Sequence, residues 1–272
     1  MLKVQDGKEA VMDIKLRALV CGLPGSGKTY FASTCPKVYY MGFSLGEGDT
    51  FKVQPHLSKN MVKVCELVPG DDDELKQLFG DLDNGLDNGL VHKLVNEAKT
   101  LFKEGKVDTL VIDTLTYLVD YLWLYMNKFC VKKTRDGAID TRGMYGDLNT
   151  KLSRLVGLLI MSFPGNLICT THEMLENDEA MDKKIDKTSP VVANILGGFR
   201  NKVEGMFSLN MYLTKLEDKG KYQYWARVNK GNQRNGKSRI PLPSTVQGIS
   251  YQKIMEVINK SITVGGGDKD GQ

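Results

Sequence analysis

Residues 22–29 read Gly22-Leu23-Pro24-Gly25-Ser26-Gly27-Lys28-Thr29, between the apolar run Leu16–Cys21 and a helical pattern opening at Thr29. The spacing is G-x-x-x-x-G-K-T, which in a strand–turn–helix context builds a phosphate-binding loop. Each position has a physical task. Glycines let successive backbone N–H groups converge on anionic oxygens, and the following helix adds the positive end of its dipole. The Lys28 ammonium would reach the β- and γ-phosphates, and the Thr29 hydroxyl would ligate Mg2+. Gly22, Pro24, Gly25, Ser26, Gly27, Lys28, Thr29 and the adjoining Tyr30 are therefore the expected ATP contacts.

Around this loop, short apolar runs alternate with helical patterns. Leu16–Cys21, Val38–Met41, Val62–Cys65, Leu110–Ile112 and Leu167–Thr171 read as strands. Apolar residues at 90, 91, 94, 95, 98, 101 and 102 recur with helical spacing, as do those at 115–129 and 148–159. A further helix is expected near 191–203. Met206–Leu213 and Tyr222–Val228 read as a hairpin. The expected fold is α/β: a doubly wound, mostly parallel sheet with an antiparallel edge hairpin. Residues 1–11 form an N-terminal segment, 12–262 the core, and 263–272 a disordered tail. Two polar segments, Lys132–Asp147 and Glu173–Ser189, are long enough to expect function in them.

Composition narrows the class. The net charge of +4 permits nucleic acid without demanding it. The five cysteines contain no C-x-x-C pair, and Cys21 and Cys169 lie inside predicted strands, which suits reduced core thiols. Only three histidines are present, so a structural zinc site is not expected. No apolar stretch is long enough to cross a bilayer. The N-terminus lacks a signal-peptide apolar region, so a cytoplasmic location is expected.

Asp113 ends the buried run Val107–Asp113, and a carboxylate there beside a phosphate loop holds Mg2+. A helix N-cap is its other possible role, although Thr114 can cap instead. Hydrolysis also needs a group that orients water. Glu47 follows the second strand and is the candidate, with Asp49 competing. His172, or Glu173 beside it, follows the strand after Asp113 and could sense the γ-phosphate.

The string Gly-Leu-Pro-Gly-Ser-Gly-Lys-Thr alone resembles adenylate-kinase loops, but no arginine lies between it and Asp113, so an arginine-rich lid is missing. The order of features instead resembles the RecA-like ATPase core: phosphate loop, acidic residue after the next strand, Asp113, a polar loop, a strand ending at His172, a second polar loop and a basic hairpin. More narrowly, it resembles phage-encoded, core-only RecA-like ATPases of the single-strand annealing and recombination type, over about residues 12–258. The resemblance implies a DNA-stimulated, Mg2+-dependent ATPase in an infected bacterial cytoplasm. Its implied partners are single-stranded DNA, further copies of the chain and a single-strand DNA-binding protein. It implies that the two polar segments line the DNA path, with Lys132, Lys133, Arg135 and Arg142 in the first, Tyr145 as a stacking platform, and Lys183 and Lys184 in the second. Asp136, Asp140, Asp178, Glu179, Asp182 and Asp186 dilute this charge. From the basic stretch Arg227–Arg239 it implies a cation reaching a neighbour's γ-phosphate: Lys237 or Arg239 first, Lys230 next. Nonspecific nucleic-acid binding is the rival reading of that stretch. Two other functions stay open: a regulatory or assembly NTPase with a protein partner, and a small-molecule phosphotransferase.

Overall fold

The computed structural model describes residues 15–46, 50–51, 54–81, 88–175, 191–196, 198–218, 220–228, 236–239 and 242–265. The strands are β1 (Arg17–Cys21), β2 (Val38–Gly42), β3 (Met61–Glu66), β4 (Thr109–Asp113), β5 (Asn166–Thr171), β6 (Glu173–Leu175), β7 (Val191–Ala193), β8 (Leu209–Asp218), β9 (Lys221–Arg227), β10 (Lys237–Ser238) and β11 (Thr245–Gln247). The helices are α1 (Lys28–Ser33), α2 (Asp72–Phe79), α3 (Leu90–Lys103), α4 (Leu115–Phe129), α5 (Thr141–Leu152), α6 (Phe199–Met206) and α7 (Tyr251–Gly265). Residues Pro55–Asn60 form a 3-10 turn, and α5 runs on through the wider-wound segment Ser153–Ile160.

The main sheet has the order β11-β9-β8-β1-β5-β4-β2-β3, with β10 against β8. Pairing is parallel from β8 to β3 and antiparallel across β8–β9, β9–β11 and β10–β8. β6 and β7 form a separate two-stranded ladder. The expected α/β architecture is thus observed. β2, β4 and β5 are buried at every position, as strands covered on both faces must be, and so read as unbroken apolar runs. β3 at the sheet edge alternates instead, with exposed Val62 and Val64.

Side chains alternate between the faces and sort into two cores. Leu19, Tyr39, Met41, Leu110, Ile112, Leu167 and Cys169 join the core under α2 to α6. Ala18, Val20, Val38, Tyr40, Val111, Ile168, Met211 and Leu213 join the other, with Phe31 of α1 and Ile254 and Ile258 of α7. The two isoleucines are four residues apart and so share one helix face. Tyr251 N–H donates to Thr34 Oγ1 at 2.8 Å, seating α7 against the end of α1.

Three expectations change. The helix near 191–203 is instead strand β7 followed by α6: β-branched Val191 and Val192 pair with Leu175 and Met174, and Gly198 marks the start of the helix. The first polar segment ends early, because Asp140 caps α5 by accepting from Gly143 N–H at 2.8 Å. Helix α7 passes the expected core limit at 262 and reaches Gly265. The rest of the expected tail lies outside the described residues.

Candidate functional site

The phosphate loop leaves the end of β1 and closes into α1. Ser26 N–H donates to Leu23 O at 3.1 Å, making the turn. Gly25 and Gly27 hold φ of 76° and 96°, which side-chain-bearing residues rarely adopt. At Gly27 a Cβ would also stand 2.5 Å from Ile249 Cδ1 and 3.1 Å from Tyr224 Cδ1. Lys28 is buried, and its Nζ donates to Gly22 O at 2.9 Å and Leu23 O at 3.1 Å. The Ser26 hydroxyl is buried with no protein partner. Buried hydroxyls are almost always bonded, so an orphan inside a loop of converging N–H groups fits an anionic oxygen. The residues present therefore fit a nucleotide's phosphates.

Asp113 is fully buried at the end of β4. Its Oδ2 accepts from Thr29 Oγ1 at 2.9 Å and Tyr40 Oη at 2.8 Å, and its Oδ1 accepts from Thr170 Oγ1. The register explains this convergence. Asp113 stands beside Gly42 of β2, and Tyr40 lies two residues back on the same face. Ile112 pairs with Cys169, which puts Thr170 level with Asp113 on the α1 side. Thr114, not Asp113, caps α4, with Tyr117 N–H donating to Thr114 Oγ1 at 3.4 Å. One carboxylate and one hydroxyl are hard oxygen donors suited to Mg2+, which takes few protein ligands when phosphates supply the rest. Among the described residues no cluster of three or more His, Cys, Asp or Glu is placed to cage a metal.

His172 follows β5 beside this centre. Its backbone N–H donates to Thr116 Oγ1 at 3.1 Å, and Thr116 Oγ1 also meets Thr171 Oγ1 and Asn194 O, each at 2.9 Å. The ring packs edge-on against Tyr117 at 5.5 Å, and Nε2 is buried without a protein partner. Burial, then the Lys28 charge, lowers its pKa, against a smaller opposing pull from Asp113. Both of the first two effects favour the neutral imidazole.

A cleft of about 940 Å3 opens over the loop. Gly25, Gly27, Lys28, Thr29 and Tyr30 line one side, and His172 also lines the cleft. Lys215, Tyr224 and Ile249 line the other, so the β8–β9 hairpin and the turn after β11 wall the cleft within one chain. Sequence reasoning missed Tyr40, Thr170, Lys215, Tyr224 and Ile249. Tyr40 and Thr170 lay inside recognised strands, but only the strand order joins them to Asp113.

The remaining predicted residues lie elsewhere. Lys132 to Asp140 is a closed turn: Lys133 bridges Ile139, and Asp140 N–H donates to Lys132 O at 2.9 Å. Lys132 pairs with Asp147 at 2.6 Å, while Lys133, Arg135 and Arg142 are exposed. Tyr145 is stacked on Trp123, with ring centroids 4.6 Å apart and 19° between planes. The backbone of Lys237 pairs with Asn210 near the start of β8, level with Leu19 in the middle of β1. Arg239 donates from its backbone to Ser208 O and from its guanidinium to Gly205 O at 2.7 Å, which holds this guanidinium against the end of α6. Glu47, Asp49, Lys183, Lys184 and Lys230 lie outside the described residues. No described helix is long and apolar enough to cross a membrane.

One solved structure, described as an ATPase from the type III secretion system of pathogenic bacteria, is similar at 14% identity with a TM-score of 0.45. The likeness covers 73% of this chain and 51% of that one, so the chain spans about half its length. No curated protein matches. A family profile described as "AAA domain" matches residues 14–240, from before β1 through the hairpin and its basic stretch. The match takes in the loop, Asp113 and His172, and the chain belongs to this AAA domain family of P-loop NTPases.

Proposed function

We propose that this chain is a RecA-like, Mg2+-dependent ATPase that works on single-stranded DNA as a homo-oligomer. The observation that carries the ATPase reading is the cluster of Thr29, Asp113, Tyr40 and Thr170 at the sheet edge from which the phosphate loop departs. Backbone N–H groups of Gly25 to Lys28 and the Ser26 hydroxyl hold phosphate oxygens. Lys28 exchanges its two carbonyl partners for the transferred phosphate, concentrating positive charge where negative charge develops. Thr29 and Asp113 would hold Mg2+, which when bound would supply neutralising charge to the phosphates. Neutral His172, lining the cleft, donates or accepts one hydrogen bond near the terminal phosphate. Glu47 is the candidate for orienting water.

The DNA reading is supported by exposed Lys133, Arg135 and Arg142 in the segment that also carries Tyr145 of the Trp123–Tyr145 stack, since cations and rings together suit unpaired bases. Its test is ATP turnover and filter binding with a poly-dT oligonucleotide. Binding that falls steeply as salt rises, with stimulated turnover, is the expected result. No binding at low salt with ATP present would remove DNA from the reading. The Lys132–Asp147 pair favours a second reading, a regulatory or assembly NTPase with a protein partner. A stoichiometric protein partner recovered after nuclease treatment would select it.

A further inference from the structure

The described cleft lining contains two ammonium groups, Lys28 and Lys215, and no carboxylate. Lys215 reaches it by register. β8 runs parallel to β1 with Tyr212 level with Cys21, the residue from which the phosphate loop departs. Lys215 is three residues further on, about 10 Å at strand rise, so it overhangs the loop. It shares a face with Met211 and Leu213, which pack in the core beside Phe31 of α1. Its cross-strand partner is Tyr224, whose ring abuts Gly27.

The Lys215 Nζ lies 3.6 Å from the centroid of the Tyr222 ring. An exposed cation–ring contact is weak beside a charge-assisted bond to a phosphate oxygen, and the lysine stem is flexible enough to exchange one for the other. We propose that Lys215 is a second nucleotide-binding cation, supplied by the same chain as the phosphate loop, which leaves the Tyr222 ring to hold the phosphate chain of a nucleoside triphosphate. The inference rests on the nucleotide reading of the cleft. It makes Lys215 a contribution within one chain, distinct from the neighbour-facing cation expected of Lys237 or Arg239.

The experiment uses the full chain with Mg2+, measuring ATP affinity by calorimetry and inorganic triphosphate as competitor. Lys215→Ala and Lys215→Gln are expected to weaken both ligands about tenfold, Lys215→Arg to stay within about threefold of the wild type, and Tyr222→Leu to retain ATP affinity, all with wild-type melting. ATP affinity unchanged within about twofold in Lys215→Ala and Lys215→Gln would overturn the proposal. So would a loss that Lys215→Arg fails to restore, which marks packing of the hairpin instead of charge. Mixing Lys215→Ala with Lys28→Ala protein is expected to give no recovery of turnover, whereas recovery would assign Lys215 to a neighbour's site. Wild-type protein that binds no ATP would instead sink the nucleotide reading itself.

Discussion

Removing one oxygen atom tests how the centre around Asp113 is held together. In Tyr40→Phe the ring stays in place: it is fully buried and meets Phe51 edge-on at 4.9 Å. The 2.8 Å bond from its hydroxyl to Asp113 Oδ2 is lost. A hydrogen bond to a charged group contributes about 1.5–3 kcal/mol. Asp113 keeps Thr29 and Thr170 as donors, so the carboxylate is not orphaned and no larger loss is expected. For a domain of this size about 2 °C of melting temperature corresponds to 1 kcal/mol, so Tm should drop by about 3–6 °C. Groups that orient a metal ligand set metal affinity by about 10–100-fold, so the Mg2+ concentration supporting half-maximal turnover should rise about tenfold. Scanning calorimetry and a Mg2+ titration of ATP turnover read the two effects. In an Asp113→Asn background the Tyr40→Phe effect should shrink by more than about 0.5 kcal/mol, the usual scatter of additivity. A Tm within a degree of the wild type, or full additivity, would refute the reasoning.

Three other outcomes are expected. The lowered pKa of His172 means the unfolded chain binds its proton first, so this residue's contribution to stability is full above pH about 6.5 and declines below it; His172→Gln should flatten that part of a pH–stability curve. Lys237→Ala and Arg239→Ala should slow turnover of the oligomer while leaving ATP affinity and melting of the monomer near wild type; unchanged turnover in both would remove the neighbour-facing cation. Ile258→Ala in α7 should cost about 2–5 kcal/mol by urea unfolding, since the side chain is fully buried beside Phe31 and Ile254.

The centre of the fold was legible because strands buried on both faces have only apolar residues to show, so Asp113 at the end of such a run is conspicuous. The helix at Asp72–Phe79 carried a signal that went unread: Asp71 accepts from Asp73 and Glu74 N–H, and Leu75, Leu78 and Phe79 have helical spacing. The start of α5 was hidden because Gly143, Gly146 and polar neighbours blur its apolar stripe. α7 was passed over although Ile254 and Ile258 are spaced as a helix face. The joining of Tyr40, Asp113 and Thr170 was beyond local reading. It needs β4 to lie between β2 and β5, and strand order follows from long-range pairing that no local pattern encodes. The far wall of the cleft was illegible for the same reason: almost 200 residues separate Gly27 from Tyr224.

That separation bears on the lifetime of the bound state. Nucleotide held, as proposed, between the first strand's loop and the β8–β9 hairpin would stabilise the docking of distant parts of the chain, by an amount that grows with the logarithm of the ratio of its concentration to Kd. Release would then be coupled to local opening of the hairpin, a rim segment with exposed Leu216 and Tyr222, at a free energy below that of global unfolding. Whatever gripped or loosened those two strands from outside would govern residence time, without touching the loop that does the holding.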